Sequence, residues 1–199
     1  MVNVAAVTDR GVPRLSKLGK SVLVIHRKDG HCIVMLKLNT QAPEFILPSI
    51  KGAKVSLSSR KGKWIVLVFY RGSWCPMCNT QIANLANDYP KFQEINAETI
   101  AISMDTLEKA VKTQKKSRSL FPILLDEKGK VVQLYGVLVE KREWKDMPAF
   151  MHGKKAGTYA MPAVFIIDPQ GVLRYSYVGR SFTDRPSNED LLKTLKELQ

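Results

Sequence analysis

Trp64-Ile65-Val66-Leu67-Val68-Phe69-Tyr70 runs directly into Arg71-Gly72-Ser73-Trp74 and then Cys75-Pro76-Met77-Cys78. The first segment is apolar without alternation and rich in β-branched and aromatic residues. That pattern predicts a central strand buried on both faces. The next four residues make a short connection, and Pro76 suits the first turn of a helix, where a missing N–H costs nothing. Beyond it, Ile82, Leu85, Ala86, Tyr89 and Phe92 recur at steps of three and four, which predicts an amphipathic helix. Pro90 falls inside this pattern and predicts a kink or break near Asn87–Tyr89. The chain therefore reads here as strand, tight connection and helix, with two cysteines at the helix start.

That placement has chemical consequences. A helix N-terminus presents unpaired N–H groups and partial positive charge, both of which stabilise a thiolate. Cys75 is accordingly expected to ionise below the usual thiol value of about 8.5. Cys78 lies one turn along the same helix, within reach of a mixed disulfide or a sulfenic acid at Cys75. Trp74 supplies an apolar neighbour that shields the thiolate and offers a contact surface. The alternatives are half of a zinc site or an inert buried pair. Zinc needs two further ligands, and Cys32 with His26, His31 and His152 shows no second pair at the usual spacing. Redox chemistry is the reading that uses every feature of the segment.

Outward from this core, Thr99–Met104 predicts a second buried strand, Leu107–Ser119 a basic amphipathic helix, and Pro122–Leu125 a short strand. Asp126–Lys130 reads as a turn and Val131–Tyr135 as a helical turn. Gln133–Gly157 contains no strong element and reads as a long surface loop carrying Trp144 and His152. Ala163–Asp168 and Val172–Val178 predict a hairpin through Pro169-Gln170-Gly171. Ser187 with Asp190 three residues on announces a C-terminal helix through a capping box, with Leu191, Leu192, Leu195 and Leu198 as its buried stripe. On the other side, Val55-Ser56-Leu57 is a short strand candidate. Asp105 ends the second strand and is a carboxylate near the expected site. The order of elements implies an α/β fold, a mixed central sheet with helices on both faces.

The chain has 199 residues, of which 45% are hydrophobic, enough for one sizeable core. No apolar run reaches the roughly 20 residues that span a bilayer. The formal charge of +13 favours anionic partners. The basic residues are scattered, however, and the densest run, Lys112 to Arg118, has no interleaved aromatics for base stacking, so no nucleic acid is expected. Three cysteines are a poor count for a disulfide scaffold. The N-terminus shows no secretory signal, which points to the cytoplasm, where a Cys-x-x-Cys pair is catalytic or metal-binding. Residues 1–39 read as an N-terminal extension. Ser21–His26 and Cys32–Leu38 form a hairpin around Asp29-Gly30, or else Met35 is the native start and residues 1–34 lie upstream of it.

The segment Phe69–Cys78 resembles the active site of thioredoxin-like proteins, in which a strand ends in an aromatic and Trp-Cys-x-x-Cys follows. Ala42-Pro43-Glu44-Phe45 through Leu57, together with Phe165–Gly171, resembles peroxiredoxins of the alkyl hydroperoxide reductase/thiol-specific antioxidant (redoxin) family. The resemblance covers residues 40–199 as one domain. It implies a thioredoxin fold, with Cys75 as the attacking and Cys78 as the resolving sulfur, and Trp74 and Pro76 as supporting residues. Two departures matter. Peroxiredoxins place Thr or Ser three residues before the attacking cysteine, where this chain has Gly72, and a Pro four residues earlier still, where it has Val68. They also carry an Arg shortly before the Phe-Ile-Ile-Asp strand, where this chain has Met161-Pro162. Arg71, Arg180 and Ser73 are candidates to replace the missing peroxide cradle. Met161-Pro162 matches the cis-proline that faces Cys-x-x-Cys in thioredoxin-like proteins. Such a bond leaves the backbone before it free to pair with a substrate chain; an ordinary trans proline at a strand start is the alternative.

The expectation is a thiol–disulfide oxidoreductase needing no metal or organic cofactor. It takes a disulfide or peroxide substrate and is restored by a thioredoxin- or glutathione-type reductant, either as a single chain or as an oligomer. A thiol peroxidase is the alternative, and a redox sensor gating the 137–157 loop is the non-enzymatic one.

Overall fold

A computed structural model describes residues 22–26, 32–139 and 158–199 of the chain. In chain order the elements are β1 (Val22–His26), β2 (Cys32–Leu36), β3 (Ile46–Pro48), β4 (Lys54–Ser56), β5 (Trp64–Phe69), α1 (Pro76–Glu94), β6 (Ala97–Ser103) and α2 (Leu107–Ser117). They continue with β7 (Ile123–Leu125), α3 (Lys130–Leu134), β8 (Leu138–Val139), β9 (Tyr159–Ala160), β10 (Ala163–Ile167), β11 (Leu173–Val178) and α4 (Asn188–Leu198).

The central sheet has the order β11-β10-β5-β6-β7. β5, β6 and β7 are parallel, whereas β10 runs antiparallel to both β5 and β11, so the sheet is mixed as expected. β5 lies at its centre, and all six of its residues are buried. Its side chains alternate between two cores. Ile65, Leu67 and Phe69 face a cluster containing Ile100, Phe165, Val131, Val132 and Tyr135. Val66, Val68 and Tyr70 face the other, with Ile82, Leu85 and Phe92 of α1, Ala110 of α2, and Leu191 and Leu195 of α4. Helices therefore cover both faces, which is why β5 reads as a continuous apolar run. Each such aliphatic or aromatic side chain contributes about 1.5–3 kcal/mol on burial. α4 begins with the predicted capping box: Asp190 N–H donates to Ser187 Oγ at 3.1 Å, and Ser187 N–H donates to Asp190 Oδ2 at 3.2 Å.

Three expectations need correction or completion. α1 passes through Pro90 without a break and ends at Glu94. Pro90 is exposed, so its ring faces water, while Tyr89 and Phe92 on either side are buried and hold the last turns to the sheet. The stretch assigned to a loop from Gln133 contains a strand at its start: Leu138 and Val139 pair antiparallel with Ala160 and Tyr159. Finally, no peptide bond among the described residues is cis, so Met161–Pro162 is trans. β9 is tied to β8, and Met161 N–H donates to Val137 O at 2.7 Å, so this amide is used inside the fold rather than offered to a substrate chain. The predicted N-terminal hairpin is present as β1 paired with β2 in antiparallel register. Its Asp29-Gly30 turn lies outside the described residues, as do Trp144 and His152 and the side chains of Cys32 and His26.

Candidate active site

The parallel strands β5 and β6 deliver the site from their C-terminal ends. Tyr70 N–H still donates to Ile102 O at 3.1 Å, and the chain then leaves the sheet through Arg71–Trp74. Gly72 turns there with φ of 145°, a region that disfavours L side chains. A Cβ on Gly72 would lie 2.7 Å from Trp74 Nε1 and 2.9 Å from Asp105 Oδ1. The glycine at the peroxiredoxin threonine position is thus demanded by this loop. Ser73 follows, and its contribution is through the backbone: its N–H donates to Asp105 Oδ2 at 2.7 Å, and its carbonyl accepts from Asn79 Nδ2 at 2.9 Å. Asp105 is buried, and burial raises its pKa against the bond from Ser73. The carboxylate that the sequence marked only as near the site is therefore the anchor of the loop that presents it.

Cys75 is the N-cap of α1 and Pro76 occupies its first turn. The Cys75 carbonyl accepts from the N–H groups of Cys78 and Asn79, both at 3.1 Å. Both cysteines are free thiols, with exposures of 1% for Cys75 and 0% for Cys78. Their proton affinities are driven apart. Cys75 is lowered to about 6, first by the hydrogen bond from the Cys78 thiol, against the opposing effect of burial, and further by the Cys78 backbone N–H and the guanidinium groups of Arg71 and Arg185. Cys78 is raised, first by that same shared proton, then by burial and by the Cys75 charge. One sulfur is a thiolate near neutral pH and the other keeps the proton.

Arg71 is buried beside the pair, with its guanidinium carbon 4.6 Å from the ring centres of Trp74 and Tyr159 and 5.7 Å from that of Phe182. Such contacts hold a cation in place without cancelling its charge. Trp74 meets Tyr159 edge-on at 6.1 Å, so the tryptophan joins the cysteine loop to the β9 side of the site. Pro162 stands at the same end of the sheet, one residue before the Ala163–Phe69 pairing, and its carbonyl accepts from Gly179 N–H at 2.8 Å. Arg180 is exposed, and its N–H donates to Asp184 Oδ2 at 2.8 Å.

The residue that sequence reading missed is Arg185. It lies in the loop before α4, yet its Nη2 is 3.9 Å from Cys78 Sγ, and its Nη1 donates to Gln81 Oε1 at 2.7 Å and to Met77 O at 3.1 Å. A groove lined by Met77, Thr80, Gln81, Thr183 and Arg185 opens here. The available signal was its position two residues ahead of the Ser187 cap. α4 packs against α1, with Asn188 bonded to Asp88 and Gln199 to Ile95 O, so the residues preceding α4 are carried towards the start of α1. Among the described residues, no group of three or more His, Cys, Asp or Glu side chains is placed to hold a metal ion, and no helix is long and apolar enough to cross a membrane.

Comparison with known proteins agrees with this arrangement. The thiol–disulfide oxidoreductase ResA of Bacillus thuringiensis subsp. konkukian is 34% identical over 104 residues, covering 52% of this chain and 60% of that relative. This chain thus spans less than two thirds of the length of that relative. "Putative peroxiredoxin YkuU" of Bacillus subtilis is 31% identical over 172 residues, covering 80% of this chain and 87% of its own length. Among solved structures, peroxidoxin BcpB from Mycobacterium tuberculosis superposes with a TM-score of 0.66 at 22% identity, covering 82% of this chain and 99% of that one. A cysteine-to-serine mutant of peroxiredoxin 6 from Arenicola marina superposes at 0.69 with 20% identity, covering 82% and 74%. Both share the fold. Residues 38–176 match the AhpC/TSA family, and the chain belongs to that family.

Proposed function

We propose that this protein is a thiol–disulfide oxidoreductase in which Cys75 attacks and Cys78 resolves. The observation that carries the reading is the placement of two free thiols one turn apart at the start of α1, beside buried Arg71 and with Arg185 Nη2 3.9 Å from Cys78 Sγ; this setting splits their proton affinities and lowers Cys75 to about 6. The Cys75 thiolate attacks one sulfur of a substrate disulfide, forming a mixed disulfide and releasing the first substrate sulfur as a thiolate. Cys78, as thiolate, attacks Cys75 Sγ, and the second substrate thiolate leaves. The substrate gains two electrons, and the protein is left with a Cys75–Cys78 disulfide. A thioredoxin- or glutathione-type reductant in a reducing compartment, the cytoplasm, restores the dithiol. Because Cys75 is 1% exposed, a substrate reaches it only after a covering group moves.

Family membership and relatives such as YkuU favour a second reading, peroxide reduction. Cys75 would then become a sulfenic acid as the peroxide O–O bond breaks, and Cys78 would displace water from it. Gly72 weighs against this, since its conformation leaves no room for the hydroxyl residue of a peroxide cradle.

The two readings separate in one experiment. Reduced protein is mixed with hydrogen peroxide or with a small disulfide, and both rates are compared with those of free cysteine at equal thiolate fraction. Disulfide exchange predicts a large excess rate for the disulfide alone. A large excess for peroxide would establish the peroxidase instead. No excess for either would sink both and leave a redox sensor.

A further inference from the structure

We propose that Arg185 is a catalytic residue of the second half-reaction: its guanidinium, fixed against the first turn of α1, stabilises Cys78 as a thiolate once Cys75 is engaged with substrate. This rests on the disulfide-exchange reading above and assigns the step that reading leaves unassisted.

The need follows from the geometry. Cys78 is 0% exposed, so water does not solvate its anion. In the resting dithiol this is harmless, because Cys78 keeps its proton and lends it to Cys75 in a hydrogen bond. When Cys75 enters a mixed disulfide its charge is gone, and Cys78 must ionise in place. Among the described residues, the groups that face it are then few. From the end of β5 comes the Tyr70 ring, with Asp105 behind it beyond β6. From the loop comes the Arg71 backbone N–H, which favours the anion, and Cys75 is now neutral. From the loop ahead of α4 comes Arg185, the cation within hydrogen-bonding distance of the sulfur, at 3.9 Å.

The setting of Arg185 suits this task. Its donors go to Gln81 Oε1 at 2.7 Å, to Met77 O at 3.1 Å and to Phe182 O, all neutral acceptors, and its Nε is buried without a partner. No carboxylate among these partners cancels its charge, so the field acts on the sulfur. Three anchors also fix the guanidinium before the reaction begins, so no reorganisation is needed when the charge develops. Proton and electrons balance simply. The Cys78 proton leaves to solvent, the Cys78 thiolate forms the new S–S bond to Cys75, and the bond from Cys75 to the substrate sulfur breaks.

The test uses an uncharged disulfide, 2,2′-dithiodipyridine, so that removing a cation does not alter its docking. Each half-reaction releases one equivalent of thiopyridone, which is followed by absorbance in a stopped-flow instrument. Wild-type protein is expected to release two equivalents. At a pH about two units above the Cys75 midpoint of about 6, where Cys75 stays ionised without the contribution of Arg185, the first equivalent in Arg185→Gln should appear within about twofold of the wild-type rate, and the second on the order of tenfold more slowly. A tenfold loss corresponds to about one unit in the apparent pKa of the second phase, which should move upward by that amount. Arg185→Lys, which keeps the charge, should recover much of the second phase. A preserved first phase shows that the variant is folded. An unchanged second phase, a proportional slowing of both phases, or an Arg185→Lys variant as slow as Arg185→Gln would each overturn the proposal. A wild-type protein that releases a single equivalent would overturn the exchange reading itself, and Arg185's role with it.

Discussion

The parallel strands β5 and β6 end in charged clusters at both ends, and the two behave in opposite ways. At the start of the strands, Glu98 is buried opposite Ile65 and meets Arg60 at 3.2 Å and Lys63 at 3.8 Å. Carboxylate and cations satisfy one another there. At the far end, Arg71 lies against three aromatic rings and Arg185 donates to amide and carbonyl oxygens. The oxygens that hold Arg185 are neutral and leave its charge intact, and both cations act on the two sulfurs. The difference separates structural charge from chemical charge: a cation held by neutral partners can shift a neighbour's ionisation, whereas one neutralised by a carboxylate mainly ties elements together.

The comparison breaks most visibly at Arg71. Replacing it by Met removes a cation beside Cys75 and should raise the Cys75 midpoint from about 6 towards the ordinary thiol range. The alkylation rate of Cys75, followed across pH, reports this directly, because the thiolate is the reactive form and persists only above its pKa. A rise of one unit means about a tenfold lower rate below the midpoint, and an unmoved midpoint would show that the helix N-terminus and Cys78 suffice.

Gly72→Thr, which installs the residue that peroxiredoxins carry there, comes next. A β-branched side chain at φ of 145° against Trp74 and Asp105 should cost about 2–3 kcal/mol in denaturant unfolding. Wild-type stability in this variant would mean that the loop can adopt the peroxiredoxin conformation after all, and would reopen the peroxidase reading.

The smallest effect belongs to the other cluster. Glu98→Gln should cost about 1 kcal/mol or less, since Lys63 is more than half exposed and Arg60 partly so. The pH profile of Cys75 should stay where it is. A shifted profile would mean that the two ends of the strands are electrically coupled, and the distinction between the clusters would fail.

Much of this architecture was legible locally. The unbroken apolar run of β5 marks a strand covered on both faces, and the Ser187–Asp190 box marks the start of α4. The placement of Cys75 at the cap of α1 follows from the strand, the short connection and Pro76. Elsewhere local rules met a stronger tertiary preference. Pro90 should interrupt α1, but Tyr89 and Phe92 are buried and Pro90 faces water, so the helix continues. Met161–Pro162 matches a cis-proline site by position, yet β8, a strand too short to show periodicity, is tied to β9, and Val137 just before it claims the Met161 amide.

The sequence by itself determined the elements, the thiol pair and its place at a helix N-terminus, because hydrophobic period, capping and turn chemistry act over a few residues. The tertiary structure alone decided which cations reach the sulfurs and which are neutralised elsewhere. Arg185 and Cys78 are 107 residues apart in the chain, and they meet because α4 packs on α1. Nothing in the local pattern distinguishes Arg185 from Arg180, which is exposed in the same loop. Coulomb interactions act through space rather than along the chain, so the site's electrostatics emerge only once the helices are packed.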